Sequence, residues 1–447
     1  MATSKKDPNK KPAPAQKPAK ESESKLASLA EKREDASKEV AVAGFADSIR
    51  LGEEGKGLFV RALAVSVGAL AIAAVVGATH GDGFRRFSFA YLAAFGVVLA
   101  MNLGAIFWVT LQNLVGANWS VVLRRLGEIF AMNAWLVGLL SLPIVVPVVM
   151  GNGIIYDWAD HAKVEADHLL HHKSPYLNPT FFLIRMIVYF GFWTLLARFF
   201  FRSSLRQDET AKADIVPTMR KVAGPAMIAF ALTLTFAAVD FLMSVDAHWF
   251  STIFGVYFFA SAVLCIQATL TLASMWLQTK GRLKTSVTIE HYHDLGKMLF
   301  AFTVFWTYVG FSQFMLIWYA NIPEETAWFK ARFAGGWDSG WGLWACTLLI
   351  GHFVVPFFFL LSRHMKRNKT TLGIGALWIL VMIYLDMYWL VMPVVDELPR
   401  FDYVMDPLCL VGLVSALVAG IAYRAQKVNL IPTKDPRLAR SLAFENI

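Results

Sequence analysis

Ten separate runs of apolar residues divide this chain, and each is about as long as the hydrocarbon layer of a membrane is thick. A helix needs about 20 residues to cross about 30 Å of hydrocarbon. The runs lack the apolar–polar alternation of a lipid-facing barrel strand, so helices are the only reasonable interpretation. The predicted spans are residues 58–79, 87–111, 129–150, 180–201, 223–243, 253–277, 296–320, 340–362, 372–393 and 406–423.

The composition agrees with this interpretation. Of 447 residues, 56% are hydrophobic and 17% are charged, whereas soluble domains carry about 25% charged residues. The sequence therefore predicts an all-α integral membrane protein with a polar basic tail (1–55), a ten-helix transmembrane domain (56–425) and a C-terminal tail (426–447). The net charge of +9 is better explained by anionic lipid headgroups than by nucleic acid.

The charges of the connecting loops predict the orientation of the chain. Loops that follow even-numbered spans are rich in lysine and arginine, whereas those that follow odd-numbered spans are acidic or histidine-rich. The positive-inside rule therefore places both termini in the cytoplasm. The pair Arg85–Arg86 is the one exception.

The sequence gives little support for a redox centre within this chain. Its three cysteines lie singly in apolar runs, and no CxxCH motif is present, so covalent c-type haem and a cysteine-held iron–sulfur cluster are not expected. Only His352 lies deep in a span, whereas haem b needs two facing histidines. The HxxHH run at His168 has metal-like spacing, but a solvated helix face explains it better, and no metal site is predicted.

Several ionisable residues fall inside or beside the predicted spans. A charged group in hydrocarbon costs at least about 2.5–3.5 kcal/mol, so each needs a partner or a function. Arg185 and Asp240 lie at the same level, which predicts a structural ion pair as one alternative. The candidates for a proton path are Glu128, Asp240, Asp246, His248, His291, His293, Asp294, Lys297, His352 and Asp386.

Structural alternatives stay open for most of these residues. The group from His291 to Lys297 is also typical of a solvated loop, and His352 could be a histidine bonded to a neighbouring helix. The Phe and Trp side chains of spans six and seven either pack the helices or line a quinone pocket.

Three blocks of sequence resemble the membrane subunits of alternative complex III, a bacterial quinol:cytochrome c oxidoreductase. They are NLGAIFWVTLQNLVGANWSVVLRRLGEIFA (102–131), FLMSVDAHWFSTIFGVYFFASAV (241–263) and YHDLGKMLFAFTVFWTYVGFSQFMLIWYANIPEET (292–326). These subunits belong to the NrfD/polysulfide-reductase membrane family. The resemblance covers roughly residues 55–425.

The resemblance implies ten helices, eight of them in two four-helix bundles, in the bacterial inner membrane. It also implies partners: a sister NrfD-like subunit, an iron–sulfur subunit, c-type haem subunits and a terminal oxidase. Iron–sulfur clusters and haem c would belong to those partners, and a quinone or quinol in this chain stays open, because it lacks the WxGxGHAGT-like stretch of the sister subunit.

We therefore expect a subunit that anchors the complex and contributes a proton path, a quinone-binding surface or both. It would be part of an enzyme without being an enzyme alone. Two alternatives from other classes are a stand-alone proton-coupled transporter and a purely structural membrane anchor. Matching helix breaks in two inverted halves would favour the transporter.

Overall fold

The structure is a computed structural model that describes residues 49–334, 336, 339–396 and 399–446. Most of the predicted N-terminal tail, residues 1–48, lies outside the described residues. Within the described residues, ten helical segments are long and apolar enough to cross a membrane, which confirms the predicted all-α membrane fold. Numbered α1–α10, they are Glu53–Thr79, Arg85–Leu114, Val121–Val149, Pro179–Thr210, Ile215–Val245, Phe254–Thr279, Ile289–Ala320, Gly340–Leu361, Lys369–Val394 and Met405–Ala425.

Several helices extend beyond the apolar runs because their ends are capped by polar side chains. At the start of α7, the Thr288 hydroxyl and the His291 ring form a reciprocal capping box, which satisfies backbone N–H groups that have no helical partner. The helix ends at Asn321, which adopts a left-handed conformation with φ 50°. Residues 289–295 are therefore the first turns of α7 and not the solvated loop that the sequence left open.

The transmembrane domain consists of two four-helix bundles and one peripheral pair of helices. The segments α2–α5 form the first bundle and α6–α9 form the second, while α1 packs along α10 at the side. The bundles meet where α2 contacts α6 and α9. The apolar stretch of α2 is completely buried, and a Cβ atom on Gly104 of α2 would overlap the carbonyl oxygen of Ala262 on α6. A residue without a side chain therefore allows the two central helices to approach closely.

The loops gather on two opposite faces. The terminal face carries residues 49–52, the loops after even-numbered segments, and residues 426–446. The loop face carries the loops after odd-numbered segments, with the short helices His161–Ala166, His168–Lys173 and Pro323–Arg332. This arrangement has alternate crossings, as the sequence predicted.

The C-terminal segment folds back onto the terminal face. The carboxylate of Asp435 accepts hydrogen bonds from Arg124 at 2.6 Å and from Arg437 at 3.0 Å. Although burial alone would raise the pKa of Asp435, the two guanidinium groups outweigh it and hold that pKa well below its usual value. The ionised carboxylate therefore stabilises the docked segment.

Replacing Asp435 by asparagine is expected to weaken this docking by about 1–3 kcal/mol, because Arg124 loses one buried partner but keeps Glu128. Because the pKa of Asp435 is lowered in the folded protein, its ionised carboxylate stabilises the fold at a pH above about 4, the pKa of an aspartate in the unfolded chain. This stabilisation is lost as the pH falls through the folded-state pKa. The variant should therefore show faster hydrogen exchange in residues 429–446 at neutral pH. Its docking should also weaken less than that of the wild type as the pH is lowered below about 4. Asp214→Asn, at an exposed site on the same face, is the control and should change neither; equal exchange in both variants would contradict the prediction.

Candidate functional site

A buried carboxylate lies in the second bundle, and no cationic side chain that the structure describes is paired with it. Asp386 is fully buried in α9, about 12 Å from the loop-face end of that segment at 1.5 Å per residue. It accepts a hydrogen bond of 2.5 Å from the hydroxyl of Tyr257 and a long one of 3.5 Å from Ser261. Among the described residues, no lysine, arginine or histidine nitrogen lies within 4 Å of it. An ionisable group in this setting is a functional-site candidate by default.

Tyr257 links this carboxylate to an aromatic pair. Its ring lies 5.4 Å from that of Trp306 on α7, measured between centroids. Trp306 in turn stacks on His352 of α8 at 3.8 Å and 25°. Four helices therefore each contribute one member to the group formed by Tyr257, Trp306, His352 and Asp386, which we name the Asp386 cluster.

The backbone around His352 is unusual. Residues Leu349–Val354 form a π-helical turn, a feature that is frequent at functional sites. Pro356 supplies a local reason, because it has no N–H to donate to the carbonyl of residue 352 and its ring crowds that position. The widened turn carries the imidazole of His352 at about 18 Å from Gly340, near the middle of the membrane.

Two polar atoms of the Asp386 cluster have no hydrogen-bond partner among the described residues. They are Nδ1 and Nε2 of His352. Buried polar atoms without a partner cost about 1–3 kcal/mol each, and more than nine in ten are paired in native proteins. The cluster thus maintains polar groups that contribute little to packing.

The Asp386 cluster borders a cavity of about 270 Å³ between α6, α7, α8, α9 and the helix Pro323–Arg332. Tyr257 and Trp306 line its inner wall, and Gln313 adds a polar amide. Phe311 and Leu349, which also line it, are more than half exposed, so the cavity opens toward the lipid. Its aromatic, weakly polar lining is typical of a site for a flat amphipathic molecule.

His352→Phe is expected to leave thermal stability unchanged or raise it slightly, because the phenyl ring keeps the stack on Trp306 and removes two unpaired nitrogens. The thermal unfolding midpoint of the solubilised chain measures this effect. A midpoint several degrees below that of the wild type would contradict the prediction and would show that the imidazole nitrogens have partners.

The candidates Arg185 and Asp240, near the loop face, form the predicted ion pair. The guanidinium donates two hydrogen bonds to the carboxylate, of 2.8 and 2.9 Å, and Tyr189 adds a third at 2.9 Å. Arg185 also lies 4.0 Å over the ring of Tyr176. Because the guanidinium and the carboxylate both have their hydrogen bonds matched, this geometry favours a structural role.

Two further candidates, Asp246 and His248, lie in the loops of the loop face. His248 contacts Asp167 at 2.7 Å, and the hydrogen bond from His248 holds the pKa of Asp167 below its usual value. Asp246 lines a cavity of about 210 Å³ together with His248 and Arg332. None of these residues belongs to the Asp386 cluster.

The candidates Glu128 and His291 lie on the terminal face, where each contacts neighbouring residues closely. Glu128 is fully buried between Arg124 at 3.1 Å and Arg125 at 3.0 Å. His291 is buried, and its Nε2 lies 3.1 Å from the carbonyl oxygen of Ser441. These contacts favour structural roles for both residues.

The other candidates on the terminal face are His293, Asp294 and Lys297, and their surroundings differ from those of a solvated loop. Asp294 pairs with Lys297, whose ammonium also reaches Asn446 at 2.7 Å. His293 is 7% exposed, and its Nδ1 has no hydrogen-bond partner among the described residues. No contact joins this group to the Asp386 cluster within the described part of the chain, so a continuous proton path stays a prediction.

Sequence reasoning missed two features of the structure, of which the first belongs to the Asp386 cluster and the second does not. Tyr257 and Trp306 were read only as part of an aromatic-rich pair of spans. Arg86, the exception to the charge rule, is buried and donates a 2.7 Å hydrogen bond to Asp406 with a further one of 3.0 Å to Tyr388. The arginine is therefore neutralised inside the protein, and its position carries no weight for orientation.

Within the described residues, no group of three or more histidine, cysteine or carboxylate side chains converges as a metal site would require. In comparisons with known proteins, no family model matches this chain, and no curated protein matches it either.

Proposed function

We propose that this chain is a membrane subunit of a respiratory quinol-oxidising complex of the alternative complex III type. It would anchor the assembly and exchange protons with a quinol at the cavity beside the Asp386 cluster. The observation that carries the proposal is Asp386 itself, which is buried, lacks a cation among the described residues, and lies behind a tyrosine of the cavity wall.

The chemistry of the cavity suits this role. Oxidation of a quinol releases two protons and two electrons, and its ring stacks well on aromatic side chains. The hydroxyl of Tyr257 can take a proton from a quinol in the cavity and pass one to Asp386. The electrons would leave to iron–sulfur and c-type haem centres, which the resemblance assigns to partner subunits beside a sister NrfD-like subunit and a terminal oxidase.

The loop charges support an orientation for this reaction. By the positive-inside rule, the terminal face would lie on the cytoplasmic side of the bacterial inner membrane. The cavity beside the Asp386 cluster would then lie in the half of the membrane away from the cytoplasm. Protons released there would contribute to the transmembrane gradient. Asp386 and His352 are the residues that we assign to proton exchange.

The breaks in the helices make a stand-alone transporter the second candidate. Segment α3 is interrupted around Met132 and Ser141, and the π-turn interrupts α8. Each is the third segment of its half of the ten, which is the correspondence that inverted-repeat transporters show. Such transporters bind their substrate between the two halves, whereas the Asp386 cluster lies on α6–α9 alone, and this placement favours the subunit.

Purification of the full chain through an N-terminal affinity tag in a mild detergent tests the proposal. We expect subunits with haem c absorption and iron–sulfur paramagnetic resonance signals to co-purify, together with quinol:cytochrome c activity. An unrelated tagged membrane protein from the same cells controls for adventitious haem. A lone homo-oligomer without redox centres would contradict the proposal.

A further inference from the structure

Three arginines on one face of α4 have no partner among the residues that the structure describes. Arg198, Arg202 and Arg206 follow one another at intervals of four residues, so they align along the helix. All three are exposed, and among the described residues their side chains form no hydrogen bond or ion pair. Like charges at this spacing repel one another by about 0.2–0.5 kcal/mol per pair, so a counter-charge would stabilise their alignment.

The carboxylate closest in sequence does not supply that charge. Asp208 is occupied by Arg125, whose guanidinium it contacts at 2.8 Å. The counter-charge for the three arginines must therefore come from outside this chain's described residues.

The arginines line a cavity of about 550 Å³ between α4 and α5. Its wall combines their guanidinium groups with the hydroxyl of Ser203, and these donors suit the oxygens of a phosphate group. The hydroxyl of Thr218, which also lines the wall, donates to the carbonyl oxygen of Asp214 at 2.7 Å. Leu195 and Phe199 form an apolar part of the same wall. The cavity thus presents charge at one end and hydrocarbon at the other.

The depth of the cavity matches the boundary between hydrocarbon and headgroups. Segment α4 has 32 residues, whereas about 20 suffice to cross the hydrocarbon layer. Counted from Pro179 on the loop face, the twentieth residue is Arg198. The three arginines therefore extend from the hydrocarbon boundary through the headgroup layer of the terminal face.

We infer that this cavity binds the headgroup of one anionic phospholipid, with an acyl chain along Leu195 and Phe199. An acidic segment of a partner protein would satisfy the charges but would gain nothing from the apolar wall at that depth. The inference is independent of the proposed function, since it involves neither the Asp386 cluster nor its cavity.

The test compares the full chain in detergent with the triple variant R198Q/R202Q/R206Q by native mass spectrometry. Loss of three arginines at an anionic surface should reduce binding of added cardiolipin or phosphatidylglycerol roughly a hundredfold. Added cardiolipin should also raise the unfolding midpoint of the wild type by several degrees and leave that of the variant unchanged. Phosphatidylcholine and inorganic phosphate should not stabilise either protein.

The matched control is the triple variant K280Q/K284Q/R440Q, which removes three exposed charges from the same face away from this cavity. It should bind the lipid as the wild type does. Equal retention of anionic lipid by both triple variants would overturn the inference. Stabilisation by inorganic phosphate alone, or loss of a protein partner from the arginine variant with lipid retained, would overturn it as well.

Discussion

Replacing Asp386 by asparagine is expected to lower the quinol-dependent turnover of the assembled complex about a hundredfold while the protein stays folded. A positioned acid–base group contributes roughly 10²–10⁴ in rate, and asparagine keeps the shape of the side chain but cannot exchange a proton. Because no cation depends on Asp386 among the described residues, its neutralisation leaves no buried charge behind. Turnover with cytochrome c as acceptor measures the effect.

Two further variants make this result specific. Asp386→Glu retains the proton-exchanging group and should keep a measurable part of the activity. Thr303→Val removes a buried hydroxyl that bonds only within α7, at 2.8 Å from the carbonyl oxygen of Leu299, and should leave turnover unchanged. Unchanged turnover and proton-to-electron stoichiometry in Asp386→Asn would show that the chain is a structural anchor.

Replacing Asp240 by asparagine is expected to have the opposite signature: a large loss of stability. Removing one member of a buried ion pair typically costs about 3–5 kcal/mol, because the other charge stays buried and uncompensated. Arg185 would retain the carbonyl oxygen of Tyr176 at 2.9 Å and one amide oxygen of the new side chain as acceptors, and neither carries a compensating charge. The thermal unfolding midpoint of the solubilised chain should fall by several degrees.

The double variant R185Q/D240N separates the two roles of this pair. With both charges removed, part of the lost stability should return, since neighbouring residues are not additive. If Asp240 instead lies on a proton path, Asp240→Asn would keep the unfolding midpoint and lose proton release. That outcome would contradict the structural role.

The sequence predicted those features that follow from hydrophobic length and from charge. The ten crossings, the grouping of loops on two faces and the pairing of Arg185 with Asp240 all follow from position along a helix of known rise. The apolar run of the fourth span ends at residue 201, whereas its helix continues to Thr210, because hydropathy measures the lipid layer and not the length of the helix. The first turns of α7 were missed for the same reason.

The Asp386 cluster could not be predicted, because its members come from four helices whose neighbours the sequence does not reveal. Tyr257 and Asp386 are 129 positions apart, and nothing in the aromatic run around Tyr257 distinguishes it from packing residues. One signal was nevertheless present. Pro356 follows His352 by four residues, and a proline at that position disturbs the helix around the histidine.

The most direct test of proton exchange at Asp386 is an infrared difference spectrum of the complex recorded when quinol is added. We predict a change in the absorption of a protonated carboxyl group that is absent from Asp386→Asn and retained in Asp435→Asn. The same carboxyl signal in Asp386→Asn as in the wild type would contradict the assignment of Asp386 as the group that exchanges the proton.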